Sequence, residues 1–222
     1  MNLTLKESLV TRSRVFSPWT AFYFLQSLLI NLGLGYPFSL LYTAAFTAIL
    51  LLLWRTLPRV QKVLVGVSSL VAACYFPFAQ AYGAPNFNTL LALHSTNMEE
   101  STEILTIFPW YSYLVGIFIF ALGVIAIRRK KESEKARWNT FDSLCLVFSV
   151  ATFFVAPVQN LAWGGVFKLK DTGYPVFRFA KDVIVNNNEV IEEQERMAKL
   201  SGMKDTWTVT AVKPKYQTYV VV

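Results

Sequence analysis

Five long apolar runs dominate the sequence, at residues 19–35, 38–54, 63–82, 109–127 and 140–163. The first four contain no Asp, Glu, Lys or Arg, and the fifth contains only Asp142, near its start. A helix needs about 20 mostly apolar residues to cross the hydrocarbon core of a bilayer. An amphipathic helix of a soluble protein would interrupt such runs with polar residues on its outward face. The pattern therefore predicts five transmembrane helices in an all-α membrane protein.

Two segments outside these runs have an amphipathic pattern. In the loop 83–108, apolar residues recur at helical spacing from Phe87 to His94, which predicts a short helix on the membrane surface. After it, Thr96 or Asn97 is suited to cap a second helix. Beyond the fifth run, residues 174–185 predict an interfacial helix and residues 189–200 a strongly charged one.

The last ten residues change character again. Residues 219–222 form a continuous aromatic and β-branched run, which is typical of a buried strand. Because one strand cannot satisfy its own hydrogen bonds, we expect the chain to continue into a missing α/β domain outside the cytoplasm. The predicted organisation is therefore a five-span transmembrane domain at 1–163 with its helical loop at 83–108, bridging helices and a linker at 164–212, and the first strand of the truncated domain at 213–222.

Composition and charge agree with a membrane protein and predict its orientation. Hydrophobic residues make up 54% of the chain and charged residues 16%, against about 25% charged in ordinary globular domains. The loops before the first run, between runs two and three, and between runs four and five contain 12 basic residues, and the alternate loops contain none. The positive-inside rule then places the N-terminus in the cytoplasm and the chain after residue 163 outside. The net charge of +7 reflects this topology, so nucleic acid is not an expected partner.

These features together resemble the N-terminal region of bacterial phosphoethanolamine transferases. That family modifies lipid A, the lipopolysaccharide core or related envelope glycans, and it includes enzymes of polymyxin resistance. The resemblance rests on the five runs, on NTLLALHSTNMEES at Asn88–Ser101, and on KPKYQTYVVV at Lys213–Val222. In the family, such a strand leads into an alkaline-phosphatase-like (sulfatase superfamily) domain that carries zinc and a nucleophilic Thr or Ser. The resemblance thus implies that zinc belongs to the missing catalytic domain and that the fragment alone is inactive.

The resemblance also implies two substrate-binding residues, Thr96 and Glu100. In the family, a polar residue, a Thr four positions later and a Glu four positions further contribute to binding the phosphoethanolamine substrate. The first of these positions is Ala92 here, which departs from the pattern. A carboxylate suits the ammonium of ethanolamine, and a Thr hydroxyl can donate to a phosphate oxygen. The alternative interpretation is that Thr96 caps a helix whose first turn Glu100 stabilises.

The function implied by the resemblance is transfer of the phosphoethanolamine head group from phosphatidylethanolamine to lipid A or another envelope glycan. The protein would then be a multi-pass enzyme of the bacterial inner membrane with its C-terminal part in the periplasm. Two alternatives stay open: a non-catalytic membrane assembly or transporter subunit, and the anchor of a related phosphoglycerol-type transferase. His94 is the single histidine and is not expected to be a metal ligand. Asp142 is expected to cap a helix.

Overall fold

The structure is a computed structural model that describes residues 18–97, 103, 106–129, 138–164 and 172–201. In chain order its helices are α1 (Pro18–Gly33), α2 (Leu40–Thr56), α3 (Pro58–Tyr82), α4 (Phe87–Ser95), α5 (Trp110–Arg128), α6 (Thr140–Gly164) and α7 (Pro175–Ser201). No strand occurs within those ranges. Glu100 and the predicted strand at 213–222 lie outside the described residues.

The helices α1, α2, α3, α5 and α6 coincide with the five apolar runs, which confirms the expected helical class. By length and composition α3, α5 and α6 are able to cross a membrane, and α2 is a shorter apolar helix. α3 begins five residues before the run that predicted it, because Pro58 occupies its first turn, where a missing N–H costs nothing. The exact number of spans stays a prediction.

α1 occupies the centre of the bundle. It contacts α2, α3 and α5, while α6 packs against α2. The pair α3 and α5 approaches closely because α5 presents glycines to α3. A Cβ at Gly116 would lie 2.6 Å from the carbonyl oxygen of Ala73, and one at Gly123 would lie 2.6 Å from the Cβ of Ser69. Small residues at a helix interface allow such an approach in membrane proteins.

The interior around α1 is polar as well as apolar. Gln26 is fully buried and its Nε2 donates to Ser69 Oγ on α3 at 3.0 Å. Asn31 is also buried, and its Nδ2 donates to Thr43 Oγ1 on α2 at 2.9 Å. Hydrogen bonds between helices in an apolar bundle contribute about 0.6–2 kcal/mol each. Each of these amide NH₂ groups therefore has a partner on a neighbouring helix, whereas Gln26 Oε1 and Asn31 Oδ1 are buried without a hydrogen-bond partner among the described residues.

One end of the bundle, where α2 and α5 finish and α6 begins, is called the basic end here. Arg129 lies there with its guanidinium centre 4.1 Å from the ring centroid of Trp19 and 3.6 Å from that of Trp54. Cation–π contacts of this kind join the ends of α1, α2 and α5. Asp142 Oδ2 accepts the backbone N–H of Asn139 at 3.0 Å, so its expected capping role is confirmed.

The opposite end of the bundle carries α4 and α7 and is called the α4/α7 end. The structure shows α7 as one helix, so the prediction of two separate helices after residue 174 was wrong. Three consecutive asparagines, which are poor helix formers, lie at 186–188 between the two predicted segments. Tertiary contacts override this preference: His94 Nε2 and Asn187 Oδ1 are 2.8 Å apart, and Asn186 Nδ2 reaches the carbonyl oxygen of Pro85 at 3.5 Å.

Candidate functional site

A cavity of about 410 Å³ lies at the α4/α7 end, between the last turns of α3 and the face of α4. Its α3 side is apolar and its α4 side is mixed. The lining residues are Phe78, Ala81, Tyr82, Asn86, Asn88, Thr89, Ala92, Leu93 and Thr96. An apolar cavity with a few convergent polar groups has the composition of a small-molecule site.

The start of α4 is held rigidly by its own side chains. Asn86 has an extended backbone, and its Oδ1 accepts both the backbone N–H of Thr89 at 3.0 Å and the Thr89 hydroxyl at 3.2 Å. This is an N-cap, which satisfies an amide that the first turn of a helix leaves unpaired. The side-chain oxygen of Asn86 and the hydroxyl of Thr89 are thus engaged with each other, although both residues line the cavity.

Thr96 follows the last residue of α4 and lines the same cavity. Its Oγ1 donates to the carbonyl oxygen of Ala92 at 2.5 Å, one turn back along the chain. The hydroxyl proton is therefore engaged within the chain, and the oxygen keeps the capacity to accept a hydrogen bond. The structure brings together Thr96 and Ala92, two of the three positions of the expected motif, while Glu100 lies outside the described residues.

The first turns of α7 are attached to the bundle beside this cavity by Tyr36, which lies in the connection between α1 and α2. Tyr36 is buried and its hydroxyl donates to Asp182 Oδ2 at 2.8 Å. Burial, with the adjacent Asp182 carboxylate, raises the pKa of Tyr36 well above its ordinary value, so the phenol keeps the proton that it donates. Arg178 lies 4.9 Å above the Tyr36 ring and 3.6 Å from Asp182. This cluster fixes α7 to the bundle next to α4.

The turn that carries Tyr36 requires glycine. Gly35 has a φ of +79°, and a Cβ there would overlap the backbone of Gly83 at the end of α3. The two connections are thus in direct backbone contact. This close approach brings the anchor of α7 to the side of the cavity formed by α3.

Sequence reasoning missed Asn86 and Asn88 as residues of the site. The signal was present, because Asn88, Ala92 and Thr96 are four residues apart and therefore share one helix face. This spacing identifies a binding face only once the structure shows that the end of α3 lies opposite that face of α4. His94 points instead to Asn187 of α7. Within the described ranges, no three His, Cys, Asp or Glu side chains lie close enough to hold a metal ion.

No family model and no solved structure matches the chain. Over all 222 residues it is 99% identical to phosphoethanolamine transferase OpgE of Escherichia coli (strain K12), and it spans the N-terminal 42% of that protein. The chain matches the N-terminal part of a phosphoethanolamine transferase. More than half of that relative has no counterpart in this chain.

The match confirms the resemblance on which the functional expectations rested. It favours the transferase over an assembly or transporter subunit, and over a phosphoglycerol-type anchor. The name of the relative specifies the transferred group as phosphoethanolamine and names no acceptor. Together with the apolar helices, the match supports a membrane fragment of such an enzyme.

Proposed function

We propose that this chain is the membrane domain of a bacterial inner-membrane phosphoethanolamine transferase, and that its α4 cavity receives the head group of phosphatidylethanolamine. The observation that carries the proposal is the position of Thr96. It lines a cavity of about 410 Å³ where α3, a helix able to cross a membrane, reaches one end of the bundle. A lipid whose chains lie beside α3 would present its head group at that level.

The topology that fits this role has five spans, with the N-terminus in the cytoplasm and the α4/α7 end in the periplasm. Two features support it. The helices α1, α2, α3, α5 and α6 run alternately between the two ends of the bundle. Arg55, Arg59, Arg128 and Arg129 all lie at the basic end, as the positive-inside rule requires of the cytoplasmic side.

We further propose the domain organisation predicted from the sequence: a five-span domain at 1–163, bridging helices and a linker at 164–212, and at 213–222 the first strand of a periplasmic catalytic domain. The zinc and the nucleophile would belong to that domain. Support comes from the relative, since the chain spans 42% of it. The bound metal would stabilise negative charge on the transferred phosphate. This chain would bind and orient the donor lipid.

The net reaction breaks the P–O bond between phosphoethanolamine and diacylglycerol and makes a P–O bond to an acceptor hydroxyl. The proton lost by the acceptor passes to the diacylglycerol oxygen. We propose lipid A or another envelope glycan as the acceptor. Incubating the full-length protein with labelled phosphatidylethanolamine and either lipid A or a water-soluble envelope glycan would separate these acceptors by the fraction that carries the label.

The donor site is tested with Glu100→Ala in the full-length protein, with Glu99→Ala as the matched control. A carboxylate that meets the donor ammonium contributes roughly 1.5–3 kcal/mol, so transfer should fall by about ten- to a hundredfold. Glu99 lies in the same stretch of sequence but lacks the family match. Transfer is normalised to folded protein. Equal and small losses of transfer in both variants would contradict the binding role. Glu100 would then only stabilise the helix.

Thr96→Val provides the second arm of that test. The substitution keeps the shape of this cavity-lining side chain and removes its hydroxyl oxygen. We expect a severalfold rise in the donor concentration needed for half-maximal transfer, with the folded fraction nearly unchanged, because a single neutral hydrogen bond contributes about 1 kcal/mol. An unchanged donor requirement would contradict a role for Thr96 in binding.

A further inference from the structure

The α4 face of the cavity has a polar group at each end and an apolar centre. Asn88 lies in the first turn of α4, Ala92 one turn later, and Thr96 one turn beyond that, and all three line the cavity. Eight residues of helix advance about 12 Å along the axis. That length suits an extended phosphoethanolamine group with a hydrogen bond at each end. We propose that the donor head group lies along α4 with its phosphate at Asn88 and its ammonium at Thr96, an orientation that rests on the proposed function.

The hydrogen-bonding state of the two ends distinguishes them. The Thr96 hydroxyl donates a hydrogen bond to the carbonyl oxygen of Ala92. Its own oxygen is therefore left as an acceptor, which suits an ammonium group. Asn88 is exposed, and its carboxamide makes no hydrogen bond to any of the described residues. Its NH₂ group carries two donors, which suit phosphate oxygens. At this end the Thr89 hydroxyl is engaged in the N-cap, and the NH₂ group of Asn86 lies 3.5 Å from the carbonyl oxygen of Ala84, so the carboxamide of Asn88 is the less constrained pair of donors.

The electrostatic field of α4 favours the same orientation of the head group. The N-terminal end of a helix carries a partial positive charge and the C-terminal end a partial negative charge. Asn88 therefore lies in a field that favours phosphate, and Thr96 in one that favours ammonium. Ala92 and Leu93 line the same cavity as Phe78 of α3, so the ethylene linker would meet apolar side chains there. The reverse orientation would place both charges of the head group against the helix field.

The alternative is that Asn88 is a solvated helix residue with no ligand. Charge substitutions at this exposed position separate three cases: the proposed orientation, the reverse orientation and no contact with the head group. The protein is placed in nanodiscs of phosphatidylglycerol with a photoreactive phosphatidylethanolamine, and the cross-linked fraction is measured. Asn88→Asp should lower the cross-linking affinity by about fivefold, and Asn88→Lys should maintain or raise it, since a single charge acts on the phosphate at a partly exposed site.

The matched controls are Gln194→Asp and Gln194→Lys, which make the same charge changes on an exposed position of α7 away from the cavity lining. We expect these two controls to cross-link like the unaltered protein. The opposite order at position 88, with Asp stronger than Lys, would mean that the head group lies in the reverse direction. Equal cross-linking of both position 88 variants would mean that Asn88 does not contact the head group. Either result overturns the orientation.

Ala92→Phe tests whether the cavity binds the head group at all, independently of its orientation. Ala92 is exposed at the centre of the cavity lining, so a large ring there should block the head group in either orientation. We expect cross-linking to fall by about tenfold or more, with the helical content unchanged. If Ala92→Phe blocks labelling while the position 88 variants do not differ, only the orientation fails. If Ala92→Phe has no effect, the cavity is not the donor site.

Discussion

Asp142 is the one acidic residue within the apolar runs, and the structure gives its carboxylate two partners. Oδ1 is 2.6 Å from Arg55 Nη1 on α2, and Oδ2 accepts the backbone N–H of Asn139. The exposed fraction of the Asp142 side chain is only 4%, so water cannot replace either partner without rearrangement. The ion pair joins α6 to α2 at the basic end.

We expect Asp142→Ala to lower the free energy of unfolding by about 3–5 kcal/mol, because it leaves the Arg55 guanidinium largely buried without its counter-ion. Thermal unfolding in detergent measures the effect. The double variant Arg55→Met with Asp142→Leu should recover a large part of the loss, since it removes both charges. A single variant as stable as the unaltered protein would mean that the pair is solvated and contributes little.

Tyr174, which precedes α7, makes the stability of the protein depend on pH in the alkaline range. Burial raises the pKa of Tyr174 to about 12, from an ordinary value of 10.0. Its hydroxyl donates to the carbonyl oxygen of Ser149 on α6 at 2.8 Å. Because the folded protein holds this proton more tightly than the unfolded chain, the contribution to stability is complete below pH 10.0 and is lost between there and about 12.

We therefore expect the melting temperature to fall more steeply above about pH 10 in the unaltered protein than in Tyr174→Phe. The phenylalanine ring keeps the contacts with Tyr42 and Phe153 but cannot ionise. Other tyrosines, including Tyr36, ionise in both proteins, so their effect cancels in the comparison. Identical pH slopes for the two proteins would show that Tyr174 does not ionise with the proposed shift.

At the scale of elements, the contact between α3 and α5 depends on the absence of a side chain. A methyl group at Gly116 would lie 2.6 Å from the backbone oxygen of Ala73, which cannot move without shifting the helix. Close contact through small residues substitutes for the hydrophobic effect, which does not drive association between helices in lipid. The packing of these two helices is therefore sensitive to a single methyl group.

Gly116→Ala should destabilise the bundle by about 1–3 kcal/mol through overpacking. Gly164→Ala, at the end of α6, is the matched control because a Cβ there meets nothing within 4 Å. That control should be neutral or slightly stabilising, since alanine is the better helix former. The melting temperatures of both variants in one detergent provide the measurement. Equal effects at the two positions would contradict close packing of α5 on α3.

At the scale of the whole molecule, the proposed orientation can be tested directly. Single cysteines are introduced at Asn97 and Ser133 after Cys74 and Cys145 are replaced, because neither native cysteine is in a disulfide. An impermeant thiol reagent applied to intact spheroplasts should label position 97 and not position 133. The reason is that position 133 lies in the most basic loop, which the positive-inside rule retains in the cytoplasm. Labelling of position 133 in intact spheroplasts would reverse the topology.

The sequence alone determined the helical class and the approximate extent of the five apolar helices α1, α2, α3, α5 and α6. Their apolar runs are continuous, and a bilayer selects such runs by length and composition without reference to any neighbour. The helix α4 was also predicted, since its periodicity is local. Thr96 was identified through a sequence motif, and the structure then placed it on a cavity. For Glu100 the motif remains the basis of the prediction.

Only the tertiary structure decided which polar groups meet. Arg55 and Asp142 are 87 residues apart, and Tyr36 and Asp182 are 146 apart, so no local pattern could pair them. The continuity of α7 had the same origin, because its asparagines are held by contacts with α4 that outweigh a weak local preference. Asn88 became a candidate contact for the head group only when the end of α3 was found opposite it. Periodicity determines which residues share a face of a helix, and packing determines what that face meets.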